Sequence, residues 1–313
     1  SIEILFQNDY NQFVRSDRNA RKFIHGKTKM KKTLNLDELD VNEVLAIMNE
    51  EDSKVAESIK PALPEIAKIV RGTINSFNNG GRLIYMGAGT SGRLGVLDAV
   101  ECVPTFGVPK EQVVGLIAGG DKAFVEAVEG AEDSVQLGED DLKAITLTKN
   151  DIVVGIAASG RTPYVIGGLD YARSVGAVTA AISCNQDAAI SKHADIQVEV
   201  VPGAEVLTGS TRLKAGTAQK LILNMISTAA MVGVGKVYGN LMVDVKPTNE
   251  KLEERAKRII MEATECTYEE ASKVYLEADK HVKTAIVMLL THTTKEDAEQ
   301  KLVASNGFVR KTI

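Results

Sequence analysis

Residues Arg82 to Gly95 read RLIYMGAGTSGRLG: a short apolar run, a glycine-rich turn, then the opening of a helix. Gly87, Gly89 and Gly92 within it spell G-x-G-x-x-G, the spacing of a dinucleotide-binding turn. Asp151 to Tyr164, DIVVGIAASGRTPY, repeats the arrangement without that spacing. In both places an apolar strand runs into a loop carrying Ser-Gly-Arg. A dinucleotide needs one such loop and an acidic residue at the end of the next strand. Asp121 is the available acid, but it stands late, behind Gly119 and Gly120. That reading leaves the second loop unused, whereas a small anion gripped from two sides uses both.

The flanking sequence supplies the frame. Apolar runs at Leu83–Met86, Val113–Ala118, Ile152–Ala157, Val178–Ser183 and Ile196–Val200 predict five strands. They are apolar throughout rather than alternating, which calls for burial on both faces. Helical stretches at Ser91–Val100, Ala123–Val128, Tyr164–Val175 and Asp187–Lys192 lie between most of them. The pattern predicts an α/β fold with a doubly wound, parallel, five-stranded sheet flanked by helices. Ligands of such sheets bind beyond the carboxyl ends of the strands, where both loops fall.

Upstream, Asn42–Asn49 and Val55–Phe77 carry apolar positions at helical spacing, and Asn78, Asn79, Gly80 and Gly81 stop the second of these. Downstream, an apolar helix is expected over about Ala215–Val234, closed by Gly233 and Gly235. Val245 to Asn249 reads as a boundary, and Glu250–Ile313 is helical in period and richly charged. The expected organisation is an arm over 1–30, loosely ordered or foreign to the domain, N-terminal helices over 31–79, an anion-binding domain over 80–245 and a helical subdomain over 246–313.

Composition narrows the function. The 313 residues carry a net charge of −5, with 4% aromatics and no Trp, so neither a basic groove nor a base-stacking platform for nucleic acid is expected. Cys102, Cys184 and Cys266 are dispersed, as are His25, His193, His281 and His292, and no metal-ligand spacing is present. No apolar run reaches a membrane span, and no signal-like stretch opens the sequence. A reduced, cytoplasmic protein without a membrane span or structural metal is expected.

The loops carry the chemistry. Thr90 and Ser91 in the first, and Ser159, Gly160, Arg161 and Thr162 in the second, offer hydroxyls and free backbone N–H groups at helix starts, a neutral cradle for an anion. Gly92 and Gly160 leave room for close approach. The same Ser and Thr residues also suit plain helix N-caps. Ser210 and Lys214, in STRLKAGTAQK, lie before the long helix; Lys214 is either an anion contact or a surface lysine. Arg93, Arg161 and Arg212 suit carboxylate recognition or salt bridges. His193 suits a ring-opening role or an ordinary loop position.

Asp98 and Glu101 lie in DAVECVPTFG, read as a helix running into a proline-bounded turn; Glu129, Glu132 and Asp133 lie in VEGAEDS. Both segments read equally as solvated acidic faces. Two carboxylates flanking a sugar would suit general acid–base work, one removing a proton and the other protonating a leaving oxygen.

Taken together, the strings GRLIYMGAGTSGRLGVLDAVEC, VVGLIAGG, VEGAED, VVGIAASGRTPYV, TGSTRLKAGTAQK and GNLMVDV closely resemble those of the N-acetylmuramic acid 6-phosphate etherases, within the sugar isomerase (SIS) superfamily. The resemblance runs from about Leu45 to the C-terminus. It implies a doubly wound phosphosugar-binding fold, commonly a homodimer, and cleavage of the D-lactyl ether at C3. The implied products are N-acetylglucosamine 6-phosphate and D-lactate, in the recycling of cell-wall amino sugars. The family's catalytic glutamates fall on Glu101 and Glu132. The substrate-binding residues expected from the loops themselves are Thr90, Ser91, Gly92, Ser159, Gly160, Arg161, Thr162, Ser210 and Lys214. No metal or cofactor is implied. Relatives usually carry a second proline where this chain has Val103, a departure that bears on the turn expected to hold Glu101. On the same fold, a non-catalytic phosphosugar sensor and an aldose–ketose isomerase remain as alternatives.

Overall fold

The computed structural model describes residues 29–126, 128–247 and 249–313. All but the last two residues of the expected N-terminal arm therefore lie outside the described residues. Helix α1 spans Val41–Asp52, α2 Val55–Ile59 and α3 Leu63–Asn78. Asp40 caps α1 through a reciprocal capping box with Glu43, worth about 1 kcal/mol. The single helix expected over Val55–Phe77 is interrupted by a tight turn at Lys60–Ala62. Pro61 and Pro64 explain the break, because each removes a backbone donor.

The sheet contains β1 Leu83–Gly87, β2 Val113–Ile117, β3 Ile152–Ala157, β4 Val178–Ser183 and β5 Ile196–Glu199. All five are parallel, in the order β2-β1-β3-β4-β5. Between them run α4 Gly89–Phe106, α5 Lys122–Val125, α6 Val135–Ala144 and α7 Pro163–Val175. The long helix expected near the middle of the chain is α8, Lys214–Gly233. The expected helix over Asp187–Lys192 is instead a short 3₁₀ segment, Ala189–His193, and α5 is shorter than expected.

The alternation of the strands divides the core. Leu83, Tyr85, Ile152, Val154 and Ile156 face one way and pack with α3, α4 and α8 through Ile66, Ile69, Cys102, Ile222 and Ile226. Ile84, Met86, Val153 and Ala157 face the other way, against Leu142, Tyr164, Val165 and Leu169. Burial of both sheet faces is what the uninterrupted apolar runs required.

Helix α6 was not expected. It carries few apolar residues and packs by close backbone approach: a Cβ on Gly138 would stand 2.0 Å from the Tyr164 carbonyl oxygen, and one on Gly167 2.0 Å from that of Val135. After α8 come a short hairpin, β6 Val237–Tyr238 and β7 Leu241–Met242, and four helices: α9 Glu250–Thr264, α10 Tyr268–Glu277, α11 Val282–Thr291 and α12 Lys295–Ala304. These share a core of their own around Ile260, Tyr275, Ile286 and Ala298. Among the described residues, no helix is long and apolar enough to cross a membrane.

Candidate active site

Strands β1 and β3 are hydrogen-bonded neighbours, with Gly87 opposite Ile156, so the two Ser-Gly-Arg loops emerge side by side at the carboxyl edge. Strand order also reverses there: β2 follows β1 on one side, and β3 opens the other. This switch point is where open α/β sheets place their ligands. Helix α4 starts after Ala88 and α7 after Thr162, and neither start is capped by a side chain. The first backbone N–H groups of α4 therefore retain the capacity to bind an anion, whereas α7 offers fewer donors: Pro163 has no N–H, and those of Val165 and Ile166 donate to the Thr162 carbonyl at 3.1 and 3.2 Å.

A third helix start joins them. Helix α8 begins beside α4, where a Cβ on Gly216 would stand 3.6 Å from Thr90 Cγ2. Its start is already served by a carboxylate: the backbone N–H groups of Lys214 and Ala215 each donate to Glu205 at 3.0 Å.

A polar chain ties the loops to α8. Ser91 Oγ donates to Gln219 Oε1 at 2.5 Å, and both residues are buried. Gln219 Nε2 donates to the Ala215 carbonyl at 3.0 Å and approaches Cys184 Sγ at 3.8 Å. The Cys184 backbone N–H in turn donates to the Ala158 carbonyl at 3.1 Å, in the second loop. Asn185 Nδ2 adds a bond to the same carbonyl at 2.9 Å. Burial pushes the Cys184 thiol up to about 12, so it serves here as a neutral packing group. Gln219, Cys184, Asn185 and Glu205 carried no signal of their own in the sequence, since their partners are remote.

Gly92 and Gly160 have packing duties. A Cβ on Gly92 would stand 2.6 Å from the Gly87 carbonyl oxygen and 2.7 Å from Ile117. Gly160 adopts φ +69°, and a Cβ there would meet Ala188 at 2.5 Å. Both glycines thus let the loops seat against the sheet, beneath any ligand. Ser159 Oγ accepts from the Arg161 backbone N–H at 3.3 Å, and the Arg161 side chain is exposed. Ser210 is partly buried on the segment leading into α8.

Lys214 is neither a surface lysine nor an open anion contact. It is the first residue of α8, its side chain is 2% exposed, and its ammonium lies 2.7 Å from Glu51 of α1. Arg93 Nε donates to the Phe124 carbonyl at 2.9 Å. His193 Nδ1 pairs with Asp170 on α7 at 2.6 Å.

The carboxylates differ from the sequence reading. The expected turn at Pro104 does not form; α4 continues through it to Phe106, and Gly107, at φ +65°, ends the helix. Val103 accordingly sits within a helix rather than in a turn holding Glu101. Pro104 forfeits one helix bond, to the carbonyl of Val100, on the helix's exposed side. Asp98, read as a surface acid, is buried and accepts from Tyr85 Oη at 2.9 Å, Asn224 Nδ2 at 2.8 Å and Ser227 Oγ at 3.1 Å. Burial raises its carboxyl above the ordinary range, while these three hydrogen bonds oppose the rise.

Glu101 is exposed one turn below Asp98 and borders a cavity of about 340 Å³ between α4 and α8. Glu132 is exposed on the short turn Ala131–Asp133, which follows β2 and precedes α6. Glu132 lies three residues before Val135, whose carbonyl faces Gly167 in the second turn of α7, and so stands on the loop side of the sheet. Within one chain, then, Glu132 accompanies the cradle, and Glu101 lies far down α4.

A family model for the glucokinase regulatory protein N-terminal SIS domain matches residues 65–173, and an SIS domain model matches 133–229. The chain is 71% identical to an N-acetylmuramic acid 6-phosphate etherase of Listeria welshimeri, covering 90% of this chain and 96% of that protein. It is 65% identical to N-acetylmuramic acid 6-phosphate etherase 2 of Enterococcus faecalis, covering 90% and 95%. Among solved structures, a phosphoheptose isomerase from Francisella tularensis aligns with a TM-score of 0.46 at 19% identity, covering 63% of this chain and 98% of that one.

Proposed function

The chain belongs to the N-acetylmuramic acid 6-phosphate etherases, and from that premise we propose how its residues divide the work. The reaction is cleavage of the D-lactyl ether of N-acetylmuramic acid 6-phosphate, giving N-acetylglucosamine 6-phosphate and D-lactate. The protein is a carbon–oxygen lyase of amino-sugar recycling. The observation that carries the residue assignment is the pair of uncapped helix starts at α4 and α7, side by side at the switch point.

In this reading the 6-phosphate lies against the N–H groups of those starts, with hydroxyls of Thr90, Ser91, Ser159, Thr162 and Ser210 around it. Gly92, Gly160 and Arg161 shape the loops, and Lys214 backs the cradle through α8. The aldehyde at C1 of the open-chain sugar acidifies the C2 proton. Glu132 removes that proton, and Glu101 protonates the lactyl oxygen as the C3–O bond breaks. The product of this step is an α,β-unsaturated aldehyde and free lactate. Water then adds, its oxygen to C3 and a proton to C2, completing the replacement of lactate by hydroxyl.

Residues 80–245 form the phosphosugar-binding unit in this reading, with 31–79 and 246–313 as helical additions. The working form is a cytoplasmic homodimer, supported by the apolar Leu97 and Val100 left exposed on α4. Incubating the protein with the muramic acid phosphate and assaying D-lactate tests the activity. Glu101→Gln should lower lactate release by about 10²–10⁴-fold, the usual worth of a general acid, while exchange of the C2 proton in deuterated water persists. Lactate release at the wild-type rate would remove Glu101 from the reaction.

A further inference from the structure

A cavity of about 590 Å³ lies where the end of α4, the strap 243–247 after β7 and the start of α11 meet. Gly107, which ends α4, lines it. Helix α4 has 18 residues and is about 27 Å long at 1.5 Å per residue, so the cavity stands a helix length away from the Ser-Gly-Arg loops. The reaction assigned above uses none of its residues.

Three lysines and two aspartates line this cavity, and most of their charge is settled internally. Asp244 lies 2.5 Å from the Lys283 ammonium and 3.3 Å from that of Lys236. Lys283 also donates to the Gly235 carbonyl at 2.8 Å. Asp279 pairs with Lys295, and Lys280 with Glu253 at 2.6 Å. Lys246 is exposed and has no ion pair among the described residues. Its stem lies against Gly107, where a Cβ would stand 3.5 Å from Lys246 Cγ. The cavity is thus left with one ammonium that no carboxylate neutralises.

The start of α11 adds donors. Its first helix bond runs from the Ala285 N–H to the His281 carbonyl at 3.0 Å, and no side chain caps the turn before it. The N–H groups of Val282, Lys283 and Thr284 therefore have no helix partner, and all three residues line the cavity. Thr284 is 4% exposed, and its hydroxyl has no hydrogen-bond partner among the described residues. Thr291, later in the same helix, donates back to the Val287 carbonyl at 2.8 Å. The residue four before Thr284 is Lys280, which stands outside the helix. A buried hydroxyl without a partner is a cost that a ligand accepting its proton would remove.

We propose that this cavity is a second anion site, built to take the phosphoryl group of a small phosphate monoester. Three backbone N–H groups, the Thr284 hydroxyl and the Lys246 ammonium converge on it. That number of donors suits the three terminal oxygens of a phosphoryl group better than the two of a carboxylate. Val243, Val245 and Leu302 on the walls give the rest of such a molecule apolar contact, and the volume is that of a small-molecule site. A bound phosphoryl group joins the strap to α11, and so holds the C-terminal helices to the end of the helix that carries Glu101.

Hydrogen exchange on the full chain, read by mass spectrometry with inorganic phosphate as the first probe, tests this site apart from the loops. Phosphate should slow exchange of the amides of residues 282–284, and potassium chloride at equal ionic strength should not. Thr284→Val keeps the shape and should raise the apparent Kd read from those amides about tenfold, and Lys246→Ala about threefold. Thr284→Ser should keep the wild-type value. N-acetylglucosamine 6-phosphate, a monoester, should slow the same amides at lower concentration than inorganic phosphate. Ser159→Ala should change none of this, so a failure of phosphate binding at the loops is read separately and bears only on the reaction site. The proposal is overturned by unslowed amides at 282–284, by equal slowing in chloride, or by slowing that Thr284→Val and Lys246→Ala leave unaltered. Slowing that disappears in Ser159→Ala overturns it too, as does weaker binding of the monoester than of inorganic phosphate. Should Thr284→Val fail to fold, Lys246→Ala at its exposed position carries the comparison.

Discussion

The ammonium of Lys214 and the carboxylate of Glu51 meet at 2.7 Å, with side chains 2% and 10% exposed, and join the first turn of α8 to the end of α1. The contact spans 163 residues of sequence and ties the N-terminal helices to α8. A pair this sealed has a large penalty when only one partner is removed.

Glu51→Ala should therefore destabilise the protein by about 3–5 kcal/mol in urea unfolding, because it leaves a buried ammonium unpaired. The double variant Glu51→Leu with Lys214→Met should recover most of that loss. Burial works to raise the Glu51 carboxyl, but Lys214 and Lys54 outweigh it and hold it below its ordinary value of 4.5. A depressed carboxyl binds its proton more weakly in the folded state. Its stabilisation is full above pH 4.5 and drains as acid titrates the folded form. The stability gap between wild type and Glu51→Gln should narrow over that acid range.

Asp98 should behave in the opposite sense. Its carboxyl is raised above 3.8 by burial, so the folded state holds the proton more tightly than the unfolded one. This group's contribution falls as pH climbs from 3.8 through its raised value, and Asp98→Asn should remove that slope. Asp98→Leu strands donors on Tyr85, Asn224 and Ser227 and should cost about 3 kcal/mol, read from the urea midpoint.

Gly167→Ala should be among the most damaging single-methyl changes. The added Cβ would fall 2.0 Å from the Val135 carbonyl oxygen, so α6 and α7 must part. A loss of about 3 kcal/mol is expected, together with a fall in kcat, since Glu132 sits on the turn that leads into α6. Thermal unfolding and lactate assays on one preparation check both.

Gln219→Ala should act on binding. It frees the Ser91 hydroxyl and severs the polar chain between the loops. KM should rise about tenfold, equivalent to about 1.4 kcal/mol, and a cycle with Ser91→Ala should show coupling of about 1 kcal/mol.

The sheet was legible because each central strand is buried on both faces; Leu83–Gly87 and Ile152–Ala157 contain no exposed residue. The loops were legible as hydroxyl-rich strings at helix starts. Other features left no local trace. Helix α6 holds its place through Gly138 and Gly167 together with Leu142, too few apolar positions to read as a stripe. Pro104 read as a turn although α4 continues through it. Asp98 and Lys214 read as surface charges because Asn224 and Glu51, which neutralise or satisfy them, are 126 and 163 residues away. The separation of Glu101 from the start of α4 is likewise a matter of helix rise, invisible until α4 is known to continue past Val100.

Glu205 distinguishes one helix start at the carboxyl edge from the other two. Of three helices that begin at this edge of the sheet, α8 already holds an anion belonging to the chain itself, bound by two backbone donors. A phosphate settling there would have to displace the Glu205 carboxyl from those donors. The same phosphate at α4 or α7 meets donors with no such resident. An internal carboxylate thus fills one of the three helix starts at this edge and leaves those of α4 and α7 to an incoming anion.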